Sequence, residues 1–215
     1  MNKPSRIAEY LVWGGLAVII AAIFGAFVIS KLRPAPSPLP IYGNIADFSL
    51  TNQSGGRVSL ADLRGRVWVA DIIFTRCPGP CARMTRQMKE LQAALPSASS
   101  ARLVSLTTDA DFDTPSVLQR YAEKFEAKPD NWIFLTGDKK EIARLAIDSL
   151  KLTALEKPAA ERVSPEDLFV HSTIFVVVDK QARLRGVFET SGEGVDWRQS
   201  KANILAAVNQ LEREP

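Results

Sequence analysis

The run Val67-Trp-Val-Ala-Asp-Ile-Ile-Phe-Thr-Arg-Cys-Pro-Gly-Pro-Cys81 decides the fold. Its first part, Val67 to Phe74, is mostly apolar, the pattern of a strand buried on both faces. Beyond Cys81, Met84, Met88, Leu91 and Leu95 repeat at helical spacing, and Pro96 closes the helix. A buried strand therefore feeds a helix, and the chain's 2 cysteines both sit at the junction. A spacing of four places both sulfurs on one face of a first helical turn. The helix N-terminus and the nearby Arg76 and Arg83 are expected to favour thiolate. Pro78 and Pro80 stiffen the turn, since an early helical proline loses no needed hydrogen bond.

Outward from this junction the elements alternate. Phe48-Ser-Leu50 and Arg57-Val-Ser-Leu60 flank a Gly55-Gly56 turn and read as a hairpin. Arg102 to Thr107 is a second buried strand, and Thr114-Pro115 opens a helix through Phe125. Trp132 to Leu135 is a short strand. Asp138 caps a helix with Ile142, Leu145 and Ala146 inward. Residues 151–167 read as a loop or short insertion. Ser172 to Val178 is a β-branched strand, and Ala182 to Glu189 pairs back to it through the Asp179-Lys-Gln turn. Asp196 caps a last helix carrying Ile204, Leu205, Val208 and Leu211. This order predicts an α/β, thioredoxin-like mixed sheet with flanking helices, which sets functional groups where a strand ends and a helix begins.

The front of the chain is different. Residues 10–30 carry no charge, and LVWGGLAVIIAAIFGAFVIS (11–30) matches the roughly 20 helical residues that a bilayer core needs. It is longer than a signal-peptide core of about 7–15 residues and is closed by Lys31 and Arg33. The expectation is a short tail (1–9), one transmembrane helix (10–32), a proline-rich spacer (33–40) and one soluble domain (41–215). The large domain after the helix favours an N-in, C-out orientation. Of the formal net charge of +3, all comes from Lys3, Arg6, Lys31 and Arg33 set against Glu9. The soluble part is balanced, which argues against nucleic acid as a partner.

Chemistry has few carriers here. His171 is the 1 histidine, and it directly precedes the predicted strand that starts beside the Cys turn in a thioredoxin-like sheet. Two thiolates and an imidazole make a soft three-ligand site, suited to copper or zinc. The same two sulfurs also make a redox couple. A purely structural disulfide across so short a loop would contribute little stability.

These features together resemble the Sco/SenC family of cytochrome c oxidase assembly proteins over essentially the whole chain. The resemblance is carried by the N-terminal anchor, Phe48-Ser-Leu50 with its glycine turn, and Phe74-Thr75-x-Cys77-Pro78-x-x-Cys81. Ser105 to Pro115 (SLTTDADFDTP), Leu135-Thr136-Gly137 and His171-Ser172 follow in the family's order. The resemblance implies one copper, Cu(I) or Cu(II), bound by Cys77, Cys81 and His171. It also implies a role in maturing the dinuclear copper centre of cytochrome c oxidase, by copper delivery, thiol reduction or both. The implied partners are the copper-centre subunit and a copper donor protein. The implied place is the inner membrane, single-pass, with the domain facing the periplasm or an equivalent compartment. Asp109 and Asp113 are candidates for groups lying behind the ligands, Asp113 equally for a helix cap, whereas Met84 and Met88 read as core.

The chain departs from the family pattern at Ala82, Ala110, Phe112 and Val170, which leaves the three ligands in place and bears on partner choice and redox tuning. The alternative function is a membrane-tethered thiol–disulfide oxidoreductase using Cys77/Cys81. Against it, thioredoxin-type reductants use Cys-x-x-Cys and a proline before the late strand. This chain has one more residue between its cysteines, and no proline between Val170 and Val178.

Overall fold

The computed structural model describes residues 6–32, 37–77, 79–161, 169–171 and 173–215, the chain forming two units, Met1–Pro38 and Leu39–Pro215. In the first, helix α1 spans Arg6–Leu32, with Leu11, Trp13, Ile19, Ile23 and Phe24 exposed. Among the described residues no helix is long and apolar enough to cross a membrane. The spanning anchor at 10–32 therefore rests on the uncharged sequence run alone. Of the 1–9 tail and the 33–40 spacer, residues 1–5 and 33–36 lie outside the described residues.

The second unit begins with β1 (Gly43–Asn44), β2 (Ser49–Asn52), β3 (Arg57–Ser59) and a short α2 (Leu60–Leu63). Next come β4 (Trp68–Ile73), α3 (Pro80–Ala94), β5 (Arg102–Thr107), α4 (Pro115–Lys124), β6 (Trp132–Thr136) and α5 (Lys139–Arg144). The chain ends with β7 (Ala154–Glu156), β8 (Phe169–His171), β9 (Ile174–Val178), β10 (Arg183–Glu189) and α6 (Trp197–Arg213). Eight strands form one sheet in the order β1-β10-β9-β4-β5-β6-β2-β3. β4, β5 and β6 are parallel, and β9 and β2 join this core antiparallel on either side.

The central strand explains the layering. Every residue of β4 is buried, as its apolar run predicts. Trp68, Ala70 and Ile72 pack with Leu50, Leu60, Ile142 and Leu145 on one face. Val69 and Ile73 pack with α3, α4 and α6 on the other, through Met88, Leu118 and Ile204 among others. The period of two along β4 thus separates two cores, and the helices divide between them. At the β2–β3 turn Gly55 takes φ +82, where a side chain would be strained. Asp138 accepts from the backbone N–H of Lys140 and Glu141, and Asp196 from that of Arg198, as helix caps.

Two expectations are corrected. Residues 151–167 are not simply a loop: β7 pairs antiparallel with β8 as a separate two-stranded ribbon, Ala154 opposite His171. The late strand begins at Ile174 rather than Ser172, because Phe169–His171 is committed to that ribbon. The ribbon strands are short and far apart in sequence, with no tight turn signal between them, so no local pattern announces their pairing.

At the β10 edge, Arg185 is 3% exposed. Its guanidinium donates to the carbonyls of Leu39 (2.9 Å) and Pro40 (3.2 Å), to Asp179 (2.7 Å) and to Glu214 (2.9 Å). Tyr42 N–H then donates to the Leu184 carbonyl at 2.8 Å, leading the chain into β1. One buried side chain holds both the entry and the exit of the unit.

Candidate functional site

The Cys turn begins where β4 ends. Cys77 N–H bonds back to the Phe74 carbonyl at 3.2 Å, a tight turn that sets Cys77 half-buried at the surface. Pro80 then occupies the first turn of α3 behind Gly79, which supplies no side-chain cap. Cys81 follows one residue into the helix and is 0% exposed, in the same cluster as Phe74, Met84 and Met88. Met84 and Met88 are themselves 0% exposed, which makes them core, as read from the sequence. Pro78 lies outside the described residues.

Both cysteines are thiols. A hydrogen bond to Cys77 pushes the Cys81 thiol far up, and burial and the Cys77 and Asp71 charges add to it. For Cys81 the expected lowering by Arg76 and Arg83 does not hold. Arg76 Nε lies 2.6 Å from Asp109, with its guanidinium over the Phe112 ring at 4.5 Å. Arg83 donates to the Ser191 hydroxyl at 3.1 Å.

The two aspartates of residues 105–115 hold the turn from behind. Asp113 is 0% exposed and accepts from Thr75 N–H (3.1 Å), the Thr75 hydroxyl and the Thr107 hydroxyl. Burial pushes its carboxyl up, against these hydrogen bonds. Asp113 is thus a latch on the residue two before Cys77, and Thr114 occupies the cap position of α4. Asp109 reaches the same turn through Arg76.

His171 ends β8, and its side chain lies outside the described ones. Its backbone pairs with Ala154 in the β7–β8 ribbon, while β9 runs antiparallel to β4, so the start of β9 faces the end of β4, where the Cys turn begins. His171 lies just ahead of that start. Among the described residues, no group of three His, Cys, Asp or Glu side chains is placed to hold a metal ion.

Sequence reasoning missed three groups under the turn. Asp71 is 0% exposed in mid-β4, and neither of its oxygens makes a well-formed hydrogen bond. Burial pushes its carboxyl up to about 7, against a smaller pull from the Ser105 hydroxyl. The Thr85 hydroxyl donates to the Cys81 carbonyl at 2.8 Å and is bonded to the Tyr121 hydroxyl at 2.9 Å. The signal for Asp71 was available, as the single charge within Val67–Phe74.

A dithiol at a strand-to-helix junction, on a mixed sheet with helices on both faces, defines a thioredoxin-like domain. The chain belongs to the SCO1/SenC family, whose model matches residues 42–206. It is 35% identical over 147 residues to a SCO1 protein homolog of Bacillus subtilis (strain 168), covering 67% of this chain and 73% of that protein. It resembles the solved structure of BsSco, a member of the Sco family of cytochrome c oxidase assembly proteins in which a disulfide switch was identified. That match has 29% identity and a TM-score of 0.69, over 82% of this chain and 98% of that one. Bradyrhizobium japonicum ScoI, solved with copper bound, shares the fold at 23% identity and a TM-score of 0.61, over 77% and 99% of the two chains.

Proposed function

We propose that this protein is a membrane-anchored copper carrier that assists assembly of the dinuclear copper centre of cytochrome c oxidase. Copper is its cargo, held by Cys77, Cys81 and His171. The observation that carries the reading is the hydrogen-bonded dithiol at the strand–helix junction, which presents two soft sulfur donors side by side. Family membership and the copper found in ScoI support it. The position of His171 three residues ahead of β9, whose start faces the end of β4, supports the third ligand. Asp113 and Asp109 hold the ligand turn rather than the metal. The uncharged run 10–30 supports the anchor. The domain from residue 41 onward would face the periplasm, meeting a copper donor protein and the copper-centre subunit there. The thiol–disulfide oxidoreductase reading has less support, since the longer cysteine spacing departs from that of thioredoxin-type reductants.

Anaerobic Cu(I) titration of the reduced and the oxidised protein tests the site. Reduced protein is expected to retain one copper through desalting, and oxidised protein far less, since a disulfide uses the same sulfurs. Equal loading of the two forms would remove the cysteines as ligands. His171→Ala is expected to keep Cu(I) and lose most Cu(II) binding. Full Cu(II) binding by that variant would end the three-ligand model. Retention of the protein in membranes through a high-salt wash tests the anchor, because apolar insertion is not screened. Release by salt would refute it.

A further inference from the structure

The prolines ahead of the folded unit fall at a fixed beat. Pro34, Pro36, Pro38 and Pro40 alternate with other residues, and Tyr42 follows on the same beat. Tyr42 N–H donates to the Leu184 carbonyl at 2.8 Å, so the backbone of residue 42 faces β10. In an extended strand the N–H and C=O groups of every second residue point to the same side. Continued from Tyr42, the residues whose backbone would face β10 are 40, 38, 36 and 34. Each is a proline, with no N–H to donate. Ala35, Ser37, Leu39 and Ile41, in such a strand, would aim their N–H groups away from β10.

β10 has an edge for such a strand to take. Thr190 N–H donates to the Thr173 carbonyl at 2.8 Å, which puts the backbone of Phe188 and Gly186 on the side facing β9. The N–H and C=O groups of Val187 and Glu189 face the other way. β1 covers that outer side at Arg183 and Leu184, and among the described residues no other strand joins it. Val187 is 41% exposed. The same stretch runs up to the Cys-bearing helix. Gln87 of α3 donates to the Thr190 carbonyl at 2.9 Å, and Arg83 to the Ser191 hydroxyl at 3.1 Å.

The chain is also held near this edge. Arg185 grips the carbonyls of Leu39 and Pro40, and Leu39 packs against the same core as Phe188. An open strand edge is a template for any backbone beside it. Yet β1 begins only at Gly43.

We propose that the alternating prolines are a phased block on strand growth: they stop β1 from extending along β10, and so keep the Val187–Glu189 edge open beside the Cys-bearing helix. Proline content would stiffen a spacer in either phase. Only this phase removes every donor aimed at β10. Past the irregularity between Leu184 and Gly186, an extended β1 would set residue 40 against Val187 and residue 38 against Glu189. Pairing must therefore pass residue 40 before it can reach residue 38.

The test is residue-resolved amide hydrogen exchange on the reduced full chain in detergent. Wild type is compared with Pro40→Thr, Pro38→Thr and the double variant. In the wild type, Val187 and Glu189 should exchange at least about 10-fold faster than Gly186 and Phe188. Pro40→Thr should slow Val187 at least about 10-fold, and the double variant should slow both Val187 and Glu189 by that much. Pro38→Thr alone should change neither by more than about 2-fold, because Pro40 still stands in the way. Equal protection of all four amides in the wild type overturns the proposal, since the edge is then already taken. So does an unchanged double variant, or an effect of Pro38→Thr alone as large as that of Pro40→Thr. The wild-type comparison needs no substitution and can overturn the proposal even if a threonine variant fails to fold.

Discussion

Replacing Asp71 by asparagine should make the reduced protein more stable as pH rises. The folded state holds the Asp71 proton at a pKa of about 7, against an ordinary value of 3.8. A raised carboxylate pKa means the folded state binds the proton more tightly than the unfolded chain. Wild-type stability from this source is therefore full below about pH 4, falls as pH rises, and is flat above about pH 7. About three units at ~1.4 kcal/mol each set the swing at roughly 4 kcal/mol, an upper figure if water reaches the site. Asparagine has nearly the same shape and no titration. It pays a pH-independent cost of about 1–3 kcal/mol for a buried, poorly bonded amide. The informative quantity is the slope: the stability of Asp71→Asn minus wild type should rise by several kcal/mol from about pH 4 to about pH 8. Urea unfolding of both proteins, reduced and with chelator, measures it. A difference flat to within about 1 kcal/mol over that range would mean Asp71 ionises like an exposed carboxylate, and the burial argument would fall.

Asp113→Ala should cost about 3 kcal/mol in thermal or urea unfolding, because it strands the Thr75 N–H and two hydroxyls, and it should speed alkylation of Cys77. Wild-type stability together with an unchanged Cys77 rate would show that the latch holds nothing. Arg185→Met should cost about 3–5 kcal/mol by taking the buried one of two cations from Asp179 and leaving only half-exposed Arg183. A loss under about 1 kcal/mol would mean Arg183 alone suffices. Iodoacetamide should label Cys77 well before Cys81, in line with their burial. Equal rates would place both sulfurs at the surface.

The core of the fold was legible where one residue pattern admitted one structure. Val67–Phe74 is too apolar for an edge, Asp138 and Asp196 cap as their positions say, and the cysteine pair lies at the junction it suggested. What was not legible depends on contacts distant in sequence. The β7–β8 ribbon pairs segments with no local turn signal between them. The protonation of Cys81 reflects burial and a neighbouring thiol, where local sequence showed only arginines and a helix start. Arg76 looked like a thiolate stabiliser because Asp109, 33 residues away, is not visible beside it.

The Arg185 clamp also sets where the folded unit can be trimmed. Sequence composition suggests a cut at residue 41, after the last proline. Such a fragment lacks the Leu39 and Pro40 carbonyls, which take part of the guanidinium's hydrogen bonds. Their loss leaves donors of a buried arginine unanswered, at about 1–3 kcal/mol. A protease working inward from the spacer would meet a protected backbone at Leu39, where the carbonyls turn inward. The minimal stable fragment therefore begins at Leu39, with the end of the spacer forming part of the folded body.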